Sequence, residues 1–229
     1  MSEIGASGNN ISVFDADGTL FEGISIFPIY ELFSVEEYIS EFDYEKVMNP
    51  YHQYIDRKLT YGQMAHNSLR AAAEVLRGKD YRTAHVLATE YVQRQSCYDY
   101  VAPLMKNLIS ANVERVLLTA EPDFIALPIA DKYLGGPAFS SKFQIINDKF
   151  TGKVSNIMNS EYKSLAINKL RKNIKYAFGD SEGDIEMLDQ VQNPKGAYCI
   201  NPTPQLRNMA VEKGWNIIED TSCSIVLHV

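Results

Sequence analysis

Cysteine is scarce: Cys97, Cys199 and Cys223 are the only three in 229 residues. Their odd number, wide separation and lack of Cys-x-x-Cys or nearby His spacing argue against a disulfide framework or a structural zinc site, and leave them as inert thiols. Long apolar runs are missing as well, so no membrane-spanning helix is expected. The opening MSEIGASGNN has neither the basic n-region nor the apolar h-region of an export signal, which makes the cytoplasm the expected compartment. Positive charge is in deficit, with 22 Lys and Arg against 29 Asp and Glu and a net charge of −7. That balance argues against a nucleic-acid or anionic-membrane partner and makes any anionic small molecule dependent on a local site. No repeat and no low-complexity tract follows the Gly/Ser/Asn-rich start. What remains is 45% hydrophobic and 22% charged, enough for a full core in one large domain or two smaller ones. Nothing in the sequence sets an oligomeric state.

Short apolar runs ending in polar or small residues occur at ISVFDAD, VERVLLTAE and IKYAFGDSEGD, with weaker ones at GAYCIN and WNIIED. Helical spacing lies between most of them, which is the pattern of an α/β fold with a doubly wound parallel sheet, Rossmann-like in plan. The interval between the first two strands is too long for one crossover helix. SVEEYISEFDYEKVM, TYGQMAHNSLRAAAEVLRG and DYRTAHVLATEYVQRQ all have helical spacing, with Thr60 and Asp80 as expected N-caps and Gly78 as an expected C-cap. The expected organisation is therefore an α/β core from residues 1–21 and 101–229, with an all-helical domain inserted over 22–100. Tyrosines on the insertion, among them Tyr30, Tyr51 and Tyr61, either pack in its core or line a pocket.

The stretch ISVFDADGTLFEG ends a buried strand on two aspartates, Asp15 and Asp17. Ligands of an open α/β sheet bind beyond the carboxyl ends of the strands, and Asp15, Thr119 and Asp180 each follow a strand-like run. Carboxylates gathered there repel one another and lose solvation unless a cation neutralises them, and Mg²⁺ takes hard oxygen ligands of this kind. Residues at alternate positions of an extended segment point the same way, so Asp17 is aimed near Asp15, and Gly18 permits a sharp turn or close approach.

With these residues in view, FDADGTL resembles the first motif of the haloacid dehalogenase superfamily, most of whose members are Mg²⁺-dependent phosphatases. VLLTAEPDF resembles the second motif with Thr119, SEYKSLAINKL the third with Lys163, and YAFGDSEGDIEML the fourth with Asp180 and Asp184. FTGKV and CINPTPQLRNMAVEKGW are further similar to the phosphoserine-phosphatase-like branch, whose helical cap lies between the first two motifs. The resemblance implies hydrolysis of a small phosphate monoester with Asp15 as nucleophile and Asp17 as general acid and base. It implies that Gly18, Thr119, Ala120 and Lys163 contact the phosphoryl group. It assigns Mg²⁺ to Asp15, Asp17 (by its carbonyl), Asp180 and Asp184, the last either an outer ligand or the partner of Lys163. True haloacid dehalogenases lack the second aspartate, so Asp17 favours phosphate chemistry.

Lys153, in FTGKV, is the rival of Lys163 and is read as part of a flap. Glu121 and Asp123 are read as N-terminal helix caps after Thr119. Phosphoserine phosphatases commonly carry Ser at the place of Gly18 and Asn at the place of Gly183, so phosphoserine itself is not implied. Glu22 and Arg57 match the substrate-gripping residues by position only. A phosphomutase or phosphotransferase would share this core. A phospho-aspartate receiver module would be about half as long and would lack the second aspartate.

Overall fold

The computed structural model describes residues 10–170, 172–225 and 227. Strand β1 (Asn10–Phe14) is followed by four helices, α1 (Ile26–Val35), α2 (Glu41–Ile55), α3 (Tyr61–Val75) and α4 (Tyr81–Arg94). Helix α5 (Val101–Ser110) then leads into β2 (Glu114–Pro122) and α6 (Asp123–Ile129). A hairpin of β3 (Ala138–Ile146) and β4 (Lys149–Asn156) precedes α7 (Ser160–Leu170) and β5 (Asn173–Gly179). Helix α8 (Ile185–Leu188), β6 (Ala197–Ile200), α9 (Pro204–Lys213) and β7 (Asn216–Ile218) complete the order.

The seven strands form one sheet in the order β4-β3-β2-β1-β5-β6-β7, parallel except for the antiparallel β3–β4 pair at one edge. From β1 the chain first builds outward through β2 and β3, then returns to place β5 on the other side of β1. That reversal opens a crevice at the carboxyl end of β1, where α/β sheets bind ligands. β1, β2 and β5 are buried over most of their length, as strands covered on both faces must be, with apolar stretches at Val13–Phe14, Val116–Leu118 and Tyr176–Phe178.

Two cores flank the sheet. On one face Ile11, Val13, Leu118, Ile167 and Leu206 pack together. On the other, Phe14, Phe33, Phe124, Phe143 and Phe150 join the inserted helices to the sheet in one continuous cluster. Phe33 of α1 stacks on Phe124 of α6 with ring centroids 6.1 Å apart. The end of α3 is tied to the hairpin by backbone bonds, Gly78 N–H to Phe150 O at 2.8 Å and Phe150 N–H to Lys79 O at 3.0 Å. These ties hold α1 and the end of α3 against the sheet domain.

The expected N-caps occur: the Thr60 hydroxyl accepts from Gln63 N–H in a reciprocal capping box, and Asp80 accepts from Thr83 N–H at 2.9 Å, whereas the C-cap of α3 is Leu76 and Gly78, at a positive φ of 77°, comes two residues later. Two other local expectations change. The first helical segment of the insertion is two helices, broken at Glu36–Ser40, where Glu37 takes a positive φ of 54°. Strand β3 was not among the expected strands, because its polar Ser140-Ser141-Lys142 centre interrupts the apolar pattern. No helix among the described residues is long and apolar enough to cross a membrane.

Candidate active site

Asp15 lies just past the end of β1, and its N–H is bound to Phe178 O of β5 at 2.9 Å, so the sheet ladder itself fixes its position. Lys163, in the first turn of α7, donates from Nζ to Asp15 Oδ1 and to Asp184 Oδ1, both at 2.6 Å. All three side chains are buried. Burial works against the Lys163 charge, yet the two carboxylates outweigh it and raise its pKa, so the ammonium is locked on. Asp184 Oδ2 is occupied too, accepting from the N–H groups of Asp180 at 3.1 Å and Ser181 at 3.2 Å. Asp184 thus stitches the loop after β5 to Lys163.

Ligand oxygens of Asp15, Asp180 and Asp184 all lie within 4.8 Å of one another. Burial, opposed by Lys163 and reinforced by Asp184, raises Asp15 from 3.8 to about 7. Burial and the charges of Asp184 and Asp15 raise Asp180 well above the usual carboxylate range. One lysine does not neutralise this set, and the donors are all hard oxygens, so the residues fit a divalent cation such as Mg²⁺. Lys163 is thus the lysine that the fold brings against Asp15, whereas its rival Lys153 is exposed on β4. Gly18 has a φ of +68°, and a Cβ there would lie 2.3 Å from Asp180 Oδ2. The glycine is required by the approach of the β1 loop to the β5 loop.

The Asp17 carboxylate stands outside the three-carboxylate set. Its Oδ1 accepts from Ser25 N–H at 3.0 Å and Ser25 Oγ at 2.6 Å. The Asp17 carboxylate is thus no member of the metal cluster, which leaves only its carbonyl for that role. Glu121 stands beside it. The expectation that Glu121 caps a helix fails: it sits inside β2, buried, and its Oε1 accepts from Ile26 N–H at 3.3 Å. Its Oε2 is buried and, among the described residues, has no partner but the Asp17 carboxyl beside it. Burial, then the neighbouring Asp17 charge, raise the Glu121 pKa well above the usual range, and burial raises Asp17 as well. Asp123 does stand in the first turn of α6, but no side-chain capping bond forms there, Pro122 being the N-cap, and Asp123 pairs instead with Lys142 at 3.4 Å. Two residues therefore escaped the sequence reading. Ser25 resembles a helix N-cap but gives its hydroxyl to Asp17. Glu121 follows Thr119 at the alternate-position spacing that linked Asp17 to Asp15, and the same rule would have found it.

A cavity of about 470 Å³ opens over this floor. Asp15, Asp17, Thr119, Ala120 and Lys163 line it from the sheet side, with Gly183 from the loop after β5, and Tyr61, Ala65 and His66 of α3 line it from the insertion. Tyr30, Tyr51, Arg57 and Glu22 do not line it. Tyr30 is core, its hydroxyl donating to Ala72 O at 3.0 Å, and Tyr51 packs on Phe27.

The model of the haloacid dehalogenase-like hydrolase family matches residues 12–189. The chain belongs to that family. The match runs from β1 to the end of α8 and takes in Asp15, Asp17, Thr119, Lys163, Asp180 and Asp184. Phosphoserine phosphatase SerB1 of Mycobacterium tuberculosis is 27% identical over 218 residues, 89% of this chain and 68% of that protein. Other curated relatives align over shorter stretches, so that the chain spans about half of their length. A solved structure of a Bordetella pertussis protein of unknown function has a TM-score of 0.77 at 19% identity, covering 93% of this chain and 99% of that one. A phosphoserine phosphatase captured as a phospho-aspartyl intermediate analogue has a TM-score of 0.62 at 20% identity, over 91% of this chain and 92% of that one. The haloacid dehalogenase-like hydrolase fold is therefore shared along nearly the whole chain.

Proposed function

We propose that this hydrolase cleaves small phosphate monoesters by a Mg²⁺-dependent route through an aspartyl-phosphate on Asp15. The observation that carries the reading is Asp15 itself: a carboxylate at the floor of a cavity, one oxygen held by Lys163 at 2.6 Å, with Asp17 a separately anchored second carboxyl beside it. An Asp15 oxygen forms the bond to phosphorus as the ester bond breaks, and the Asp17 carboxyl gives its proton to the departing alkoxide. Asp17 then takes a proton from water, which attacks phosphorus and frees Asp15 and inorganic phosphate. The raised pKa of Asp17 suits the first of these tasks, and the bonds from Ser25 hold it off the metal cluster. The Thr119 hydroxyl and Ala120 N–H are donors for the phosphoryl oxygens, and Lys163 offsets charge on both phosphate and Asp15.

Asp15, Asp180 and the Asp17 carbonyl would hold Mg²⁺, with Asp184 the orienting partner of Lys163, since both its oxygens already have donors. When bound, the ion offsets the negative charge of phosphate and carboxylates. The inserted helices act as a cap over residues 22–100, with the N-terminal half of α3 facing the leaving group. Phosphoserine draws no support from Glu22 and Arg57, because neither lines the cavity. The test is phosphate release from a panel of monoesters, including para-nitrophenyl phosphate, with Mg²⁺ and with excess chelator. Turnover that needs Mg²⁺ is expected; full turnover in chelator would contradict the metal assignment, and no turnover of any ester would contradict the reaction.

A further inference from the structure

A second cleft, of about 660 Å³, continues outward from the catalytic cavity and shares His66, Ile157 and Asn159 with it. One wall is α3, which contributes Arg70 and Glu74, with Arg77 in the turn that follows it; the other is β4, which contributes Lys153. Arg70 and Glu74, four residues apart, share a face of the helix, and the turn after it brings Arg77 to the same cleft. Both are exposed, as is Lys153, and none takes part in the ion pairs found among the described residues. Gly152, at φ +84°, lets the Arg77 side chain lie across β4, since a Cβ there would meet Arg77 Nε at 2.9 Å. Three cations thus face one carboxylate, Glu74, in a chain whose net charge is −7. Such a patch is not the background of this surface, and it draws anions toward the cavity.

We propose that this cleft is a second anion subsite, and that the preferred substrate is a phosphate monoester whose leaving group carries a further phosphate. The inference rests on the monoesterase reading. His66 lines both cavities and Arg70 follows it by four residues, about 6 Å along one face of the helix at about 1.5 Å per residue. A leaving group must span that distance for its second charge to reach Arg70, and Arg77 and Lys153 extend the same field farther out. A short leaving group would end in the first cavity.

The test compares hexane-1,6-bisphosphate with 6-hydroxyhexyl phosphate, with para-nitrophenyl phosphate as reference, all with Mg²⁺. Allowing for its two equivalent ends, the bisphosphate should have the higher kcat/KM by roughly tenfold at low salt, and the ratio should fall as ionic strength rises. In the double variant Arg70→Gln/Lys153→Gln the ratio should fall toward one, while Arg70→Lys should keep most of it. Equal kcat/KM for the two alkyl substrates in the unaltered protein would overturn the subsite and leave the monoesterase intact. A preference that persists in the double variant would overturn the assignment to this cleft. Failure to cleave any of the three would overturn the monoesterase reading, and the subsite with it.

Discussion

Asp15 and Asp17 are two residues apart and chemically identical, yet their surroundings give them different work. Asp15 is paired with Lys163, while Asp17 is held by Ser25 and flanked by Glu121. Asp17→Asn keeps the nucleophile and removes the acid, so the rate loss should be about 10²–10⁴-fold on alkyl phosphates and clearly smaller on aryl phosphates, whose phenolate needs no proton. Equal losses on both classes would remove Asp17 from the leaving-group role. The Asp15 environment also predicts a pH effect on stability. Folding raises its pKa from 3.8 to about 7, burial being the largest cause. The native state therefore holds a proton that the unfolded chain has released. This contribution is complete below the unfolded value and is lost as pH rises toward about 7. Asn at this position cannot ionise, so metal-free Asp15→Asn should gain on the unaltered protein between about pH 4 and pH 7, by a few kcal/mol at most at about 1.36 kcal/mol per unit. Urea unfolding across that window in chelator measures it; a constant difference would contradict the assigned burial. At this scale the sequence was informative because two carboxylates after one strand need a special environment wherever they fold. Glu121 was misread as a cap although its alternate-position spacing from Thr119 aims it at the site; only its partner, the Ile26 N–H brought in by α1, lies beyond any local pattern.

At the scale of elements, the turn after β1 and helix α3 matter most. Gly18→Ala places a methyl group at φ +68° against the Asp180 carboxylate, so it should cost about 1–3 kcal/mol in strain and weaken Mg²⁺ dependence as well. Thermal unfolding with titrated Mg²⁺ reads both, and an unchanged Mg²⁺ response would contradict the contact. On α3, Tyr61 lines the cavity, and burial first, then the site carboxylates, hold its hydroxyl well above its ordinary pKa. Tyr61→Ala should therefore reorder kcat/KM among alkyl phosphates more than it changes the rate on para-nitrophenyl phosphate. A uniform fall would make α3 a lid without selectivity. Helical periodicity and capping residues made α3 and α4 legible from Thr60 and Asp80. They did not say which tyrosine of the insertion meets the site, because Tyr30 and Tyr61 differ only in tertiary placement. β3 was illegible for a related reason: Ser141 is buried with its hydroxyl bound to Ala120 O at 2.6 Å, so a polar residue fills a core position.

For the whole molecule, the chain order places β1 between β2 and β5, and this brings four distant motifs to one crevice. Asp15 and Lys163 are 148 residues apart and in contact. That convergence was legible because α/β sheets gather ligands at strand ends, although the depth of the basic cleft beside it was not. The central claim is that Asp15 becomes phosphorylated during turnover. It is tested most directly by acid-quenching Asp17→Asn during turnover of para-nitrophenyl phosphate with Mg²⁺ and weighing the peptide that contains residue 15. Without the base that activates water, the second step should lag behind the first, so the peptide should gain the mass of one phosphoryl group, and the gain should vanish when Asp15 is also replaced by Asn. Continued phosphate release with no adduct on that peptide would contradict the account.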